Sequence, residues 1–441
     1  MSPSTATAVF GSIILALFLF DRDRKSRVSL ALWIPVAWLS ISASRMVSQW
    51  LGVAPADSPE QYLEGSPLDA QIFAGLLVAG LVVLFARGAR ARTFLSKNKP
   101  VLVFLLYCAA SILWSDFPFV AFKRWTKAVG DLIMILVVLT DPDPIAALKR
   151  LLARCGFVLI PLSLLLIRYY PELGRAYNPW DGTPYNIGVA TGKNGLGYVC
   201  LLFGLGSLWR ILLLFRGAQS PRKSGTLIAH GVVLLMALWL FWMADSVTSL
   251  ACFLLGSGLI AVKNLPWLAR KPTAVQLFVA GVLFLSLVGL FLDVGTDLVE
   301  AMGRDATLSG RTILWEELLR TNTDPWFGTG FESFWLGERA KWFWTKYWWH
   351  PNQAHNGYLE VFLSLGWVGV ALLGLVMVWG FRNVVGAVRQ DSGTGRLRLA
   401  YFAVAVIYNL TEAAFKGMHL VWIMFLLATT IVPEPPRWED E

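Results

Sequence analysis

The stretch HNGYLEVFLSLGWVGVALLGLVMVWGF, from His355 to Phe381, joins two polar residues to a long and almost uninterrupted apolar run. A helix needs about 20 apolar residues to cross the roughly 30 Å hydrocarbon core of a bilayer, and the block at 356–381 exceeds that length. Similar blocks recur along the chain, separated by short charged stretches. The stretch therefore predicts a membrane-spanning helix that has His355 and Asn356 at its beginning.

The composition of the whole chain agrees with this interpretation. Of its 441 residues, 56% are hydrophobic and only 15% are charged, and the mean hydropathy is +0.58. Backbone polar groups in lipid must be paired internally, which long apolar blocks achieve as helices. We count about thirteen such blocks and predict an all-α polytopic membrane protein with about 12–13 transmembrane helices. Whether the first block, 7–20, spans the membrane is left open.

The spacing of the blocks divides the chain into four parts. We expect an N-terminal transmembrane bundle (1–292) with an outer loop (168–197), a large and partly helical outer loop (293–355), C-terminal transmembrane helices (356–432) and a disordered cytoplasmic tail (433–441). The connections between blocks are alternately rich and poor in Lys and Arg, and the rich ones belong in the cytoplasm. Both long loops therefore face outward.

The net charge of +9 would suggest a nucleic-acid partner in a soluble protein. In a membrane protein most basic residues are topology signals, so the partner indicated is the lipid bilayer and not nucleic acid. The chain has no HExxH, CxxC or DxD motif, and we predict neither a metal ion nor another cofactor.

His355 is the first candidate for chemistry because it lies where a spanning helix enters the membrane. Gly366 lies eleven positions after His355, about three helical turns, which would place both on one face. Gly366 and Gly369 would let another backbone approach that face, so the imidazole would point toward packed helices. In the alternative interpretation, His355 and Asn356 simply cap the helix and bind water.

Basic residues on the outer loops are the second candidate set. They are Arg168, Arg175, Lys193, Arg304 and Arg311. Arginines that converge on one cavity would suit a diphosphate, which guanidinium groups bind through paired, charge-assisted hydrogen bonds. A Gly-rich helix start at 191–197 also offers backbone N–H groups to an anion. The alternative is that these residues bind anionic lipid headgroups or pair with nearby acids.

Four motifs in the same order resemble those of the bacterial O-antigen ligase and polymerase superfamily, which includes exopolysaccharide polymerases. The first is His355-Asn356, then nine residues, Gly366, two residues and Gly369. SGRTILW at 309–315 and GTGFESFW at 328–335 resemble elements of the family's large periplasmic loop, and GKNGLG at 192–197 resembles its Lys-Asn-x-Leu-Gly segment. The pattern of spans fits over nearly the whole chain.

The resemblance implies a GT-C-like inverting glycosyltransferase of the inner membrane, with its site facing the periplasm. Such an enzyme takes a glycan from undecaprenyl diphosphate and passes it to an acceptor hydroxyl without a metal ion. Carried over by motif, His355 would be the general base, Arg311 would stabilise the diphosphate, and Lys193 would contact phosphate. Asn194 and Asn356 belong to the same motifs. Arg168, Arg175 and Arg304 match no motif and are candidates only on electrostatic grounds.

Two questions stay open at the level of sequence. The acceptor could be another lipid-linked glycan, as in a polymerase, or the lipid A core, as in a ligase. A transporter or flippase of lipid-linked oligosaccharides is the alternative function, but it would require charged residues at mid-membrane. Here the polar motifs gather on the outer side. The sugar, the linkage, the chain-length regulator and the oligomeric state do not follow from the sequence.

Overall fold

The structure is a computed structural model that describes residues 1–22, 28–53, 65–178, 182–215, 223–262, 311–321, 323–390 and 393–431. Arg304, the apolar block at 273–292 and the predicted tail lie outside these residues. The helices of the described chain are α1 (Pro3–Phe20), α2 (Trp33–Ser42), α3 (Val47–Trp50), α4 (Pro67–Ala86), α5 (Gly88–Lys97), α6 (Lys99–Ala110), α7 (Pro118–Leu139), α8 (Pro144–Tyr169), α9 (Pro171–Gly174), α10 (Lys193–Leu214), α11 (Lys223–Ala244), α12 (Val247–Val262), α13 (Arg311–Arg320), α14 (Gly337–Lys346), α15 (Gly357–Arg389), α16 (Gly395–Thr411) and α17 (Leu420–Thr429). Short 3₁₀ turns precede α2 (Leu30–Leu32) and follow α6 (Ser111–Trp114).

The predicted all-α polytopic membrane fold is confirmed. Within the described residues, α1, α4, α8, α10, α11 and α15 are long and apolar enough to cross a membrane, and shorter apolar helices accompany them. The first helix meets this criterion over 18 residues, so the block at 7–20 has the length to span. The total of 12–13 spans stays a prediction, because one block lies outside the described residues.

Proline marks the start of several of these helices. Pro3, Pro67, Pro118 and Pro144 lie in the first turns of α1, α4, α7 and α8. The first turn is where proline is tolerated, because its missing N–H would have no partner inside the helix. The sequence thus contains the start signals of the spans as well as their apolar lengths.

The helices α8, α10, α16 and α17 form the centre of the bundle. Helix α10 packs against α8, α11 and α12, while α16 packs against α12, α15 and α17. The side chains of α17 are buried throughout, so this short helix is covered by protein and not by lipid. The four cysteines, Cys108, Cys155, Cys200 and Cys252, are buried and form no disulfide.

Helix α15 is interrupted at Gly366, which has φ 63° and ψ −166°. The backbone of the preceding loop enters the break: Trp367 donates its N–H to the carbonyl of Pro325 (2.9 Å) and Val368 to that of Trp326 (3.2 Å). A Cβ on Gly366 would lie 2.2 Å from the carbonyl carbon of Trp326. The prediction that Gly366 admits a second backbone is therefore confirmed, although that backbone belongs to a loop and not to another spanning helix.

The predicted helical phase between His355 and Gly366 is wrong. His355 precedes α15 and has a positive φ of 52°, and Gly366 breaks the helix. An argument from 3.6 residues per turn requires continuous helical geometry between the two positions. Gly369 also differs from expectation, since a Cβ there would meet Leu365 of the same chain segment, 2.2 Å away.

The outer loop 168–197 contains a small antiparallel hairpin of β1 (Arg175–Tyr177) and β2 (Pro184–Asn186), with Ala176 opposite Tyr185. Arg45 holds this loop by donating to the carbonyls of Ala190 (3.1 Å), Gly188 (3.1 Å) and Leu173. Burial lowers the pKa of Arg45. This side chain thus ties the loop to the connection between α2 and α3.

Candidate active site

The site begins with the turn that connects the large outer loop to α15. The side-chain oxygen of Asn356 accepts the N–H groups of Tyr358 and Leu359, each at 3.0 Å, which caps the helix. Its amide nitrogen donates to the carbonyl of Leu410 (3.3 Å). A Cβ on Gly357 would lie 1.9 Å from the side-chain oxygen of Asn409. The turn therefore packs closely against the end of α16. The predicted helix-capping role is confirmed for Asn356.

Glu412, directly after α16, joins the two predicted catalytic residues. Its Oε2 lies 3.2 Å from Nδ1 of His355, and its Oε1 lies 3.3 Å from Nη2 of Arg311. Arg311, the first residue of α13, also donates through Nη1 to the carbonyl of Thr411 (2.6 Å). The structure thus brings His355 and Arg311 from separate segments onto one carboxylate.

Asn194 completes the set around Glu412. Its amide nitrogen donates to Oε1 of Glu412 (2.8 Å), while its oxygen accepts from the hydroxyl of Ser246 (3.3 Å). The side chain of Glu412 is only 8% exposed, against 22% for Arg311 and 32% for His355. The carboxylate is therefore enclosed by its partners, whereas the imidazole and guanidinium remain accessible.

The contact with Glu412 fixes the tautomer of His355. A carboxylate can only accept a hydrogen bond, so in a neutral imidazole Nδ1 carries the proton and Nε2 presents its lone pair. The amide nitrogen of Gln353 also approaches Nδ1, at the longer distance of 3.4 Å. Held in this way, Nε2 of His355 can act as a base.

A cavity of about 1080 Å³ adjoins these residues. Glu412, Asn194 and Gln353 line it. His355 and Arg311 are not part of its described lining, but both contact residues that are. Lys193 also lines it, 3.9 Å from the carboxylate of Asp245. The volume slightly exceeds the usual range of about 300–1,000 Å³ for ligand pockets. It can hold a substrate much larger than one sugar.

Lys416 lies between this cavity and a second one of about 330 Å³, and it lines both. Its Nζ donates to the side-chain oxygen of Gln353 (3.2 Å). Trp335 and Trp344 line the smaller cavity, and their ring N–H groups are held by Glu360 (2.9 Å) and by the carbonyl of Pro351 (3.0 Å). The ammonium group of Lys416 thus lies between the larger, polar cavity and the smaller cavity lined by tryptophans.

The structure does not bring every predicted residue to the cavity. Arg168 is exposed in the last turn of α8, and Arg175 donates through Nε to the carbonyl of Ile167 (3.0 Å). Neither belongs to the described lining of the larger cavity. Arg175 caps the C-terminal end of α8, where a cation is favourable because helix carbonyls lack partners there. Roles for Arg168, Arg175 and Arg304 in substrate binding stay predictions.

Sequence reasoning missed Glu412, Lys416 and His419. His419 caps α17 by accepting the N–H of Val421 at Nδ1 (3.2 Å), and it lines the larger cavity. Burial and the nearby charge of Lys416 hold the pKa of His419 well below its ordinary value. A neutral His419 that accepts at Nδ1 carries its proton on Nε2, so toward a ligand it is a hydrogen-bond donor.

Among the described residues, no three His, Cys, Asp or Glu side chains form a cluster that could hold a metal ion.

Two comparisons show which known proteins the chain resembles. Residues 231–374 match the family model described as O-antigen ligase, a range that includes Arg311, His355, Gly366 and Gly369. The chain is also 25% identical over 291 residues to the exopolysaccharide production protein ExoQ of Rhizobium meliloti (strain 1021). This alignment covers 64% of the chain and 64% of the length of that relative. Together the two matches bear out the predicted resemblance of this membrane protein to the O-antigen ligase and polymerase superfamily.

Proposed function

We propose that this protein is a glycosyltransferase of the cytoplasmic membrane. It moves a glycan from undecaprenyl diphosphate to an acceptor sugar hydroxyl on the periplasmic side, in the polymerisation or ligation of a cell-surface polysaccharide. The observation that carries this proposal is the convergence of His355 and Arg311 on Glu412 beside the 1080 Å³ cavity. A base and a cation in one site are what direct displacement from a diphosphate requires.

His355 acts on the acceptor in the proposed step. The acceptor oxygen attacks the anomeric carbon, and its proton passes to Nε2 of His355. General-base help of this kind is worth about 10²–10⁴-fold in rate. The positive imidazolium that forms is stabilised by Glu412, 3.2 Å from its other nitrogen. The anomeric configuration is inverted because the bond to the acceptor forms on the face opposite the leaving group.

Arg311 acts on the leaving group. The bond between the anomeric carbon and the phosphate oxygen breaks, and its electron pair stays on the diphosphate. Arg311 uses two of its five N–H donors on Thr411 and Glu412, so three remain for phosphate oxygens. Fixed donors aimed at developing charge are the largest single contribution to many enzymatic rates. Lys193 and Lys416, which line the same cavity, supply further positive charge.

The test is a transfer assay with purified protein in proteoliposomes, polyprenyl diphosphate-linked oligosaccharide and two acceptors, a second lipid-linked glycan and a lipid A core. We expect wild type to form a new glycosidic bond, and His355→Ala and Arg311→Ala to form at least about 100-fold less. The acceptor that is used distinguishes polymerase from ligase. Movement of labelled oligosaccharide across the bilayer without a new bond would instead identify a flippase.

A further inference from the structure

The end of α1 and the start of α8 enclose another cavity, of about 220 Å³, on the opposite side of the bundle from the candidate active site. The two helices are antiparallel: Thr7 near the start of α1 contacts the hydroxyl of Tyr170 after α8 (2.8 Å), whereas the 220 Å³ cavity includes Asp21 and Arg154. From Arg154 to Tyr169 a helix rises about 23 Å at 1.5 Å per residue. The distance places this cavity, which we call the arginine cavity, near the other membrane surface.

Among the described residues that line it, the arginine cavity has more basic than acidic side chains. Its described lining consists of Phe18, Asp21, Arg22, Arg150, Ala153, Arg154 and Phe157. The described lining thus contains three arginines and one acid. That carboxylate is already shared with residues of α10 and α11, because Asp21 lies 3.6 Å from Arg210 and 3.7 Å from the ring of His230.

Arg154 gives the second observation. Its guanidinium carbon lies 4.1 Å from the ring centre of Trp33, so one face is covered by the indole. Its Nη1 atom is buried and has no hydrogen-bond partner among the described residues. A buried donor without an acceptor costs about 1–3 kcal/mol. An oxygen atom that reached Nη1 after a small shift of the Arg154 side chain would remove this cost.

We propose that the arginine cavity binds the phosphate group of an anionic membrane phospholipid. Phosphate oxygens match the fork of a guanidinium group and accept two hydrogen bonds from it. The volume is below that of pockets for drug-sized ligands, which suits a headgroup more than a whole oligosaccharide. Free phosphate offers the same oxygens, but the cavity lies at the ends of two apolar helices and includes Phe18 and Phe157. Basic pockets on the cytoplasmic side of membrane proteins attract anionic lipids in this way.

The experiment measures thermal unfolding of the purified full chain in detergent, with added phosphatidylglycerol, phosphatidylcholine or inorganic phosphate. For wild type we expect phosphatidylglycerol to raise the Tm saturably, by roughly 5 °C, and the other two to raise it by less than about 1 °C. The variant R150Q/R154Q should lose the rise. The matched control is R382Q/R389Q, which removes two exposed arginines from α15 and should keep it.

A milder variant covers the case in which R150Q/R154Q does not fold. Arg154→Lys keeps the positive charge but removes the planar pair of N–H donors of the guanidinium group. The half-saturating concentration of phosphatidylglycerol should therefore rise about tenfold. The proposal is overturned if the Arg150 and Arg154 variants keep the wild-type response, or if the control loses it equally, since the attraction would then be general. An equal response to inorganic phosphate overturns the assignment to a lipid. None of these results depends on transferase activity, so they are independent of the proposed function.

Discussion

Glu412 follows His355 by 57 residues in the chain, yet its Oε2 lies 3.2 Å from Nδ1 of the imidazole. The other carboxylate oxygen, Oε1, accepts hydrogen bonds from the side chains of Asn194 and Arg311. One acidic side chain therefore sets the orientation and tautomer of His355, the proposed base, and at the same time holds the guanidinium group of Arg311. Neither role requires Glu412 to touch the substrate, so it is a positioning residue.

Glu412→Gln tests this relationship. The amide oxygen will turn toward Asn194 and Arg311, which places its NH₂ group against His355. Nδ1 must then accept, and the proton moves to Nε2, where it blocks the base. We expect kcat to fall at least about 100-fold with KM changed less than about threefold, measured in the transfer assay. Glu412→Asp keeps two acceptors and should retain more activity than Glu412→Gln. Equal activity of wild type and Glu412→Gln would contradict the role.

Arg311→Lys asks whether the shape of the guanidinium group matters as well as its charge. A lysine cannot hold Glu412, the carbonyl of Thr411 and a phosphate oxygen together in one plane. We expect kcat to fall about 10²–10³-fold. The matched control is Arg320→Lys, on the same helix with a side chain 81% exposed, which should change kcat less than about twofold. If both variants behave alike, Arg311 contributes only charge.

The break in α15 gives a prediction about stability. Gly366→Ala adds a Cβ at a φ of 63°, 2.2 Å from the carbonyl carbon of Trp326. We expect the free energy of unfolding to fall by about 1–3 kcal/mol or more, seen as a lower Tm in detergent. Gly374→Ala is the control, because a Cβ there meets nothing within 4 Å. It should be neutral or stabilising by about 0.5–1 kcal/mol, as in an ordinary helix interior.

His419 gives a prediction about pH. Its pKa is held well below the ordinary value by burial and by Lys416, so the folded chain stays unprotonated where the unfolded chain binds a proton. Folding stability should therefore be complete above the unfolded pKa of about 6.5 and fall as the pH drops below it. His419→Asn keeps a capping acceptor without a titrating group, so its Tm should decline less between pH 7 and pH 5 in a thermal unfolding series. Parallel curves for the two proteins would exclude this contribution.

Removal of divalent ions tests the metal-free mechanism. The proposed step uses Arg311, Lys193 and Lys416 to stabilise the diphosphate, a task that metal ions perform in other phosphate chemistry. We expect excess EDTA to leave the initial rate of transfer within about 20% of its value without chelator. Strong inhibition that added Mg²⁺ reverses would show that the cations of the chain are insufficient.

The class of fold could be predicted from the sequence, and so could the two residues at the centre of the candidate site. The lengths of the apolar blocks predict spanning helices because lipid leaves the backbone no other partner. His355 and Arg311 follow from motif order. Their convergence is a finding of the structure, since Arg311 and Glu412 lie 101 residues apart in the chain and only packing brings them together.

Glu412 had a signal that went unused. It lies at the end of the apolar block 398–412, and an acid at such a position needs a partner just as a base does. In the structure that partner includes Asn194, the neighbour of Lys193, which donates to Oε1 of Glu412. The break at Gly366 had a weaker signal, because a glycine within a helical pattern is tolerated more often than it marks an interruption.

The loop backbone inserted at Gly366 has a consequence for engineering. The N–H groups of Trp367 and Val368 are paired by Pro325 and Trp326, so the segment before α14 and the second half of α15 form one structural unit. A chimera that exchanges 323–355 with a relative in order to change the acceptor should also carry the graft through Gly369. A graft that stops at His355 would leave one parent's loop against the other parent's helix break.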